Sequence, residues 1–389
     1  MRTSAAVQIR DLVGEMANQG HQVTVLLPDA SLSEPWKLEE QGSVSLLRLK
    51  APRTKDVNYF RRALAEFRLS GCMYRTLMKS PLKSMPWDSL VWYSPTIFFG
   101  SLVAKLKKGK PCPSYLILRD IFPEWAVDMG LLGRGLVYRY FKKVERFQYE
   151  QADTIGVQTP SNIEYFKKEQ SGLYASVEVL NNWLSESSPG ECSIRIAETA
   201  LAGRRIFAYT GNIGIAQGMD ILIELANELK DDDTVGFVFV GRGTAVGQIK
   251  QRAASYCLEN ILFFDEIEPS EIAGLLAQCH VGLIALDPHH RNDNIPGKFL
   301  AYMQARLPVL ANINPDNDLE KMVYEYRVGE VVSDNSLSRL TELAKKLLTD
   351  IEEDDAISVS CQDLATATFS SAAAVKQIVA SLASSSVKS

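Results

Sequence analysis

The sequence of 389 residues lacks long hydrophobic runs and paired cysteines. No stretch reaches the roughly 18 uncharged apolar residues that a membrane-spanning helix requires, and the first residues do not show the basic and apolar segments of a secretion signal. The six cysteines are dispersed without a C-x-x-C pair, and the four histidines show no zinc-ligand spacing. We therefore expect a protein that is neither secreted nor membrane-spanning, with reduced thiols and no metal site.

The composition is otherwise that of a globular protein. Hydrophobic residues make up 46% and charged residues 23%, which is enough for two domains of ordinary size. The first 180 residues carry 25 Lys+Arg against 18 Asp+Glu, whereas the remainder carries 17 against 29. Basic residues are interleaved with apolar ones from Tyr59 to Lys83 and cluster again from Lys105 to Lys110. This pattern is typical of helices that rest on anionic lipid headgroups, and equally of a solvated helix face.

Short β-branched runs alternate with helical patterns along the chain, which predicts parallel βα units and an α/β fold. The predicted strands are Gln22–Leu27, Ser89–Tyr93, Ser114–Leu118, Thr154–Val157, Arg205–Thr210, Val235–Val240, Ile261–Phe264, Val281–Ala285 and Pro308–Ala311. A polar stretch of small residues interrupts this pattern and predicts a linker. We therefore predict a first domain over 1–184, a linker over 185–203, a second domain over 204–368, and a C-terminal helix within 369–389 that packs back towards the first domain.

The beginning of the chain departs from the expected order of elements. Residues 3–19 have a helical pattern that leads directly into the strand at Val23. A doubly wound domain normally begins with a strand, and the loop after that strand often carries glycines that approach the ligand. We therefore expect that the first domain starts one strand late, through either a misassigned start or a truncation.

Two glycine-bearing turns follow predicted strands of the second domain. Gly211–Gly218 lies between a strand and the helix from Asp220, where backbone N–H groups and the helix dipole favour a diphosphate. Glycines at such a turn also occur for packing reasons. The second turn is Gly241–Gly243, in which Arg242 is suited to bidentate contact with a phosphate or is an exposed loop arginine.

The densest polar cluster is His289–Lys298, directly before a predicted helix. Pro296 suits the first turn of a helix, where its missing N–H costs little. We expect the amides at this helix start, together with Lys298, to neutralise a diphosphate leaving group, and Asp293 and Asn294 to bind sugar hydroxyls. The two histidines are predicted to be exposed loop residues.

A second group of charged residues follows the strand Ser114–Leu118. Arg119, Asp120 and Glu124 are suited to positioning an acceptor hydroxyl or stabilising a cationic sugar. Asp120 is alternatively a helix N-cap with Arg119 as its ion-pair partner. Asp316–Asp318 has the spacing of a metal motif, but the preceding Asn-Pro predicts a turn.

Together, these segments resemble the family 4 glycosyltransferases, a retaining group with the GT-B fold of two Rossmann-like domains and a cleft between them. The resemblance covers nearly the whole chain, and its general motifs are Gln19–Val25, Gly211–Gly218, Gly241–Gly243 and Ile295–Val309. Asp120–Glu124, Asn181–Trp183, Gly211–Gly214 and Ile295–Lys298 resemble more closely the branch that includes bacterial L-fucosamine transferases of O-antigen and capsule assembly.

The resemblance implies a UDP-sugar donor, which carries N-acetylfucosamine or a related amino sugar, held by the second domain. The implied donor-binding residues are Gly211, Asn212, Gly214, Gln217, Gly218, Arg242, Ile267, Asp293, Asn294, Pro296, Gly297 and Lys298. A lipid-linked or glycan acceptor is implied at the first domain, with Asp120 and Glu124 as catalytic residues and Arg119 and Asn182 as acceptor contacts. No cofactor, metal or nucleic acid is implied. The implied location is cytoplasmic, with peripheral contact to the inner face of the cytoplasmic membrane through the basic first domain.

The sequence departs from the family pattern at several donor positions. Two glutamates eight residues apart are replaced by Asp293 and Ala301, and the Arg and Lys of the phosphate loop by Asn212 and Gln217. Ala301 is consistent with specialisation of the closer branch or with decay. Two alternatives therefore stay open: a UDP-sugar 2-epimerase of the same fold, and a truncated non-catalytic relative that acts as an assembly partner.

Overall fold

The computed structural model describes residues 4–386, apart from 55–57, 95, 129, 171, 186–187, 215–216 and 288–294. The chain forms two compact units. The first comprises Met1–Asn181 and Ser371–Ser389, and the second comprises Asn182–Ser370. Within the described residues, no helix is both long enough and apolar enough to cross a bilayer.

The described strands of the first unit form two sheets. The three-stranded sheet contains β1 (Val23–Asp29), β2 (Trp36–Gln41) and β3 (Val44–Lys50) in the order β1-β3-β2. Strand β3 is parallel to β1 and antiparallel to β2. The second sheet is wholly parallel and contains, in spatial order, β4 (Leu90–Ser94), β5 (Ser114–Leu118), β6 (Thr154–Val157) and β7 (Ser176–Val179).

Helices cover the strands of the first unit. They are α1 (Ser4–Asn18), α2 (Tyr59–Leu77), α3 (Gly100–Gly109), α4 (Glu124–Asp128), α5 (Leu136–Tyr149), α6 (Pro160–Glu169) and the C-terminal helix Ser371–Ser386. All residues of β5 and β6 are buried, as expected for strands covered on both faces. The C-terminal helix is joined to β7 by Gln377 Nε2, which donates to Glu178 Oε1 at 2.9 Å.

The second unit is built on one parallel six-stranded sheet in the order β10-β9-β8-β11-β12-β13. Its strands are β8 (Arg205–Thr210), β9 (Val235–Val240), β10 (Ile261–Phe264), β11 (Val281–Ala285), β12 (Val309–Asn312) and β13 (Gly329–Val332). The helices are α7 (Asp220–Glu228), α8 (Val246–Ser255), α9 (Ile272–Leu276), α10 (Gly297–Gln304), α11 (Asp318–Tyr326), α12 (Leu337–Glu353) and α13 (Ala356–Thr368). Two apolar clusters, one on each face of the sheet, form its core.

The stretch predicted as a linker, residues 185–203, packs as part of the second unit from Ile194 onwards. Ile194, Ile196 and Leu201 are buried in the core of that unit. Leu184, just before the stretch, forms a parallel bridge with Ser370. The chain therefore passes between the units at Asn181–Asn182 and again at Ser370–Ser371.

Candidate functional site

The second unit has a topological switch point between β8 and β11, where the order of strands reverses direction along the sheet. These two strands pair only through Phe207–Ala208 and Val281–Gly282, and then diverge. The Tyr302 hydroxyl from α10 lies in the gap, where it accepts from Thr210 N at 3.2 Å and lies 3.1 Å from Leu283 O. In open α/β sheets, a crevice outside the carboxyl ends of such strands is the usual ligand site.

The two predicted glycine turns pack against each other at this edge of the sheet. Gly211 N donates to Val240 O at 2.9 Å, and Ile213 N donates to Arg242 O at 2.9 Å. A Cβ atom at Gly241 would collide with the carbonyl oxygen of Gly211. Glycine is therefore required at position 241 because two backbones approach each other closely there.

This contact predicts a large effect of Gly241→Ala on stability. We expect a loss of about 3 kcal/mol in the free energy of unfolding, because the backbone carbonyl has to move to admit the methyl group. Thermal and chemical unfolding would measure the loss. Gly247→Ala is the matched control, since Gly247 lies in α8 and a Cβ atom there would have no neighbouring atom within 4 Å; it should be neutral or stabilising by up to about 1 kcal/mol. Equal effects of the two substitutions would contradict the packing argument.

The loop after β8 satisfies much of its own hydrogen bonding. Gln217 Oε1 accepts from Gly214 N at 3.0 Å and from Asn212 Nδ2 at 2.9 Å. The backbone amides of Gly211, Ile213 and Gly214 therefore each donate a hydrogen bond to a protein acceptor. These three N–H groups already have partners, so diphosphate binding here has to rely largely on other groups.

The start of α10 offers such groups. Pro296 is the N-cap residue and makes no side-chain cap bond, and Gly297 leaves open space around its backbone. Lys298 keeps partial solvent contact, but its Nζ lies 3.3 Å from the centroid of the Tyr209 ring. Burial of this ammonium lowers the pKa of Lys298 well below its ordinary value. A cation that protein atoms desolvate gains from a nearby anionic ligand.

The other predicted donor residues lie in different surroundings. Arg242 is largely exposed and pairs with Glu266 at 3.0 Å, whereas Ile267 is partly buried against the core. Asp287 follows β11 and lies close to Gly218. A Cβ atom added at Gly218 would be 3.1 Å from the Cα atom of Asp287. Two further predicted residues, Asp293 and Asn294, lie outside the described part of the chain.

In the first unit, Arg119 and Asp120 follow β5 but face different environments. Arg119 is buried, and its guanidinium donates to Leu180 O at 2.7 Å and to Asn181 O at 3.3 Å. Burial lowers the pKa of Arg119 to about 10. The guanidinium therefore braces the end of β5 against the end of β7, although the sequence predicts an acceptor contact for it.

Asp120 retains an exposed carboxylate at the carboxyl end of β5. Surrounding protein atoms nevertheless raise its pKa, while the neighbouring Arg119 opposes this shift. Tyr93, at the end of the adjacent β4, lies near both side chains, and their charges act on its own pKa, which burial raises. Asp120 thus combines solvent access with a pKa moved towards neutrality, which suits a group that accepts or shares a proton.

Glu124 is held inside a charged network. Its Oε1 accepts from Lys142 Nζ at 2.9 Å and from Tyr138 Oη at 3.0 Å. Its Oε2 is buried without a hydrogen-bond partner among the described residues. Lys142 also pairs with Glu145 at 2.5 Å, and Glu145 accepts from the Tyr149 hydroxyl at 3.0 Å.

Asn182, the predicted acceptor residue, is the first residue of the second unit. Its Oδ1 is also buried and makes no hydrogen bond to the described part of the chain.

The network predicts a pH dependence of stability. Burial raises the pKa of Glu145 to about 7 from an ordinary value near 4.5. The stability that this group contributes is therefore fully present below pH 4.5 and is lost as the pH rises to 7. Wild type should lose on the order of 2 kcal/mol relative to Glu145→Gln across this range, because glutamine does not ionise. Urea unfolding of both proteins at several pH values measures the difference, and parallel curves would contradict the prediction.

Two groups beside these residues are not predicted from the sequence: the Tyr302 hydroxyl in the second unit and Tyr93 in the first. Tyr302 lies four residues after Lys298, which is about one helical turn, so both side chains lie on one face of α10. This spacing is the signal in the sequence that could have identified Tyr302. Tyr93 is the last residue of a predicted strand, and Arg119 and Asp120 directly follow another. Residues that follow neighbouring parallel strands meet at one edge of the sheet.

Two family comparisons cover the two halves of the chain. Residues 3–183 match the family described as "Glycosyl transferase 4-like domain", and residues 204–350 match "Glycosyl transferases group 1". The chain is 24% identical over 330 residues to a probable glycosyltransferase WbjE of Pseudomonas aeruginosa, covering 82% of this chain and 79% of that protein. It is also 24% identical over 291 residues, 70% of each chain, to a putative colanic acid biosynthesis glycosyl transferase WcaI of Escherichia coli K12.

Solved structures share the fold. Sucrose-phosphate synthase from Thermosynechococcus elongatus superposes with a TM-score of 0.71 at 14% identity, over 99% of this chain and 94% of that one. WaaG, a glycosyltransferase involved in lipopolysaccharide biosynthesis, gives 0.60 at 16% identity, over 96% and 94%. HepE of Anabaena, solved with UDP-glucose, gives 0.57 at 16% identity, over 80% and 82%. The predicted fold class, GT-B with two Rossmann-like domains, is confirmed, and the chain consists of a glycosyltransferase 4-like domain followed by a group 1 glycosyltransferase domain.

Proposed function

We propose that this protein transfers a sugar from a UDP-sugar, with retention of configuration, to a lipid-linked or glycan acceptor in the assembly of a bacterial surface polysaccharide. The observation that carries the proposal is the β8–β11 switch point, beside which the packed glycine turns and the start of α10 lie. Structures of HepE hold UDP or UDP-glucose, and the names of WcaI and WaaG refer to colanic acid and lipopolysaccharide biosynthesis. N-acetylfucosamine or a related amino sugar is the proposed transferred group.

In this proposal, the second unit binds the donor. The diphosphate lies beside the start of α10, where the first backbone amides and the positive helix end favour an anion. Lys298 is already positioned over Tyr209, and an arriving diphosphate offsets the desolvation that lowers the pKa of its ammonium. The charge that develops on the leaving group is thereby stabilised. The uracil is proposed to lie near 264–267, at the end of β10.

The first unit acts on the acceptor. Asp120 orients the acceptor hydroxyl and shares its proton, whereas Glu124 positions neighbouring groups through Lys142. Attack occurs on the same face from which the diphosphate departs, so no covalent intermediate with the enzyme is needed. The proposed reaction requires no metal or cofactor besides the UDP-sugar. We place the enzyme in the cytoplasm, in peripheral contact with the inner face of the membrane.

Product formation with a panel of radiolabelled UDP-sugars and a lipid diphosphate acceptor tests this proposal. Transfer from a UDP-amino sugar, with retained anomeric configuration in the product, is the expected result. Interconversion of the donor at C2 without transfer would instead identify an epimerase. UDP binding without turnover of any donor would favour a non-catalytic relative.

A further inference from the structure

Helix α5 buries several polar residues. Lys142 and Glu145 form the ion pair described above, and Glu145 is completely buried. On the same inward face, Gln148 is buried and its Nε2 donates to Ser94 Oγ at 3.0 Å. An amphipathic helix of a globular domain normally turns its apolar stripe inward and its charged residues towards solvent. Part of the inward face of α5 is therefore polar, while several of its large apolar side chains face solvent.

The outward face of α5 exposes several large apolar side chains. Leu136 is 82% exposed, Val137 56%, Tyr140 44% and Phe147 43%. Residues 136, 140 and 147 recur at helical spacing, so their side chains lie along one face. Large apolar side chains that are exposed singly need no explanation, but a contiguous stripe marks an interaction surface.

Helix α2 extends this stripe. Leu64 is 48% exposed and Phe67 is 60% exposed. A groove of about 260 Å³ joins the two helices and is lined mainly by Phe67, Ile97, Phe98, Tyr140, Val144 and Phe147. We call the exposed side chains of Leu64, Phe67, Leu136, Val137, Tyr140 and Phe147 the aromatic surface.

Cationic residues accompany the aromatic surface. Arg61, Arg68, Arg139 and Lys143 are exposed on the same two helices. None of the four forms an ion pair with an acidic residue in the part of the chain that the structure describes. A second copy of this chain, docked face to face, would bring these like charges together. Lipid phosphates instead complement them, and bilayer interfaces favour aromatic side chains beside cations.

The aromatic surface continues towards the proposed acceptor side. Ring centroids are 6.3 Å apart between Phe67 and Phe98, 6.5 Å between Phe98 and Phe141, and 5.0 Å between Phe141 and Phe122. Phe122 lies two residues after Asp120 in the loop that follows β5. A bilayer bound at the aromatic surface would therefore lie close to the residue that is proposed to orient the acceptor.

We propose that the aromatic surface, with its four cations, binds the surface of an anionic lipid bilayer. This inference rests on the proposed function, in which the acceptor is lipid-linked, and it identifies the face that meets the membrane. The apolar side chains enter the interfacial region and the cations contact lipid phosphates. The charge-rich inner face of α5 remains bonded within the first unit throughout.

Co-sedimentation with vesicles tests this surface without requiring transfer activity. Wild type should bind vesicles of phosphatidylcholine with phosphatidylglycerol at least about tenfold more tightly than phosphatidylcholine alone, with binding that weakens as salt rises. The double variants Tyr140→Ser/Phe147→Ser and Arg139→Glu/Lys143→Glu should each weaken binding by about tenfold or more. Matched controls are two exposed residues that are not part of the aromatic surface, Tyr326→Ser in α11 of the second unit and Lys168→Glu in α6; they should bind as wild type does.

Each other outcome has a defined meaning. Equal binding to both kinds of vesicle, no binding to either, or unchanged binding by both double variants would overturn the proposal. Self-association that is lost in Tyr140→Ser/Phe147→Ser, without vesicle binding by wild type, would show that a protein covers this face. UDP affinity and melting temperature should be unchanged in all four variants. Loss of vesicle binding with intact UDP affinity then separates failure of this surface from failure of the proposed donor site.

Discussion

Lys298→Ala is expected to reduce sugar transfer by a factor of about 100 to 1000. The substitution removes the cation over Tyr209 that is proposed to neutralise the departing diphosphate. UDP affinity should fall as well, because the ground-state diphosphate bears charge too. The melting temperature should stay within a few degrees of wild type, since burial already disfavours the charged form of this lysine.

Lys250→Ala is the matched control for this experiment. Lys250 also lies over an aromatic ring of the second unit, with Nζ 5.9 Å from the Phe263 centroid, but it is exposed on α8. Its removal should leave turnover and UDP affinity unchanged. Near-normal transfer by Lys298→Ala, with the control also normal, would exclude Lys298 from the donor site.

Asp120→Asn is expected to lower turnover by about 100-fold or more while leaving UDP affinity within about twofold of wild type. Asparagine keeps the shape of the side chain at the end of β5 but does not accept a proton. The pKa of Asp120 is raised above that of an ordinary aspartate, so its carboxylate binds a proton more readily. Steady-state kinetics with saturating UDP-sugar, together with calorimetry of UDP binding, separates the two effects.

Asp88→Asn provides the comparison in the same sheet. Asp88 precedes β4, at the opposite edge from Asp120, and its side chain is 96% exposed. Normal turnover is expected for this control. An unchanged rate in Asp120→Asn would remove Asp120 from the mechanism, and a parallel loss of UDP affinity would show a structural effect instead.

Much of the parallel architecture is readable from local sequence. The predicted bounds of β5, β6 and β8 to β11 agree with the structure to the residue, because short apolar runs between turn residues are typical of buried parallel strands. Strands β2, β3, β7 and β13 were missed. Strand β2 has the polar sequence W-K-L-E-E-Q and pairs with its neighbour in the antiparallel direction. Strand β13 has only four residues, and the first of them is glycine. Their pairing depends on partners elsewhere in the chain.

The candidate site was predictable where chemistry is local. The glycine turns were found because a close approach of two backbones requires glycine itself, as at Gly241. The Tyr302 hydroxyl was missed because its partner Thr210 is 92 residues away along the chain. The sequence also does not reveal that α5 buries polar side chains. Lys142 and Glu145 have the spacing of an ordinary surface ion pair, and only the tertiary structure buries them.

The role of Arg119 cannot be predicted from the residues next to it in the sequence. An arginine beside an aspartate at the end of a strand suggests anion or acceptor binding. Its guanidinium instead bonds to carbonyl oxygens at the end of β7, about sixty residues later. The role of a charged side chain therefore depends on which unsatisfied backbone groups the fold brings to it.

The most direct test of this account is a structure of the protein with UDP bound. The diphosphate should lie within hydrogen-bond distance of Lys298 Nζ and the first amides of α10, outside the carboxyl ends of β8 and β11. A nucleotide bound in the first unit, or at any place remote from Gly211 and Lys298, would contradict the proposed donor site.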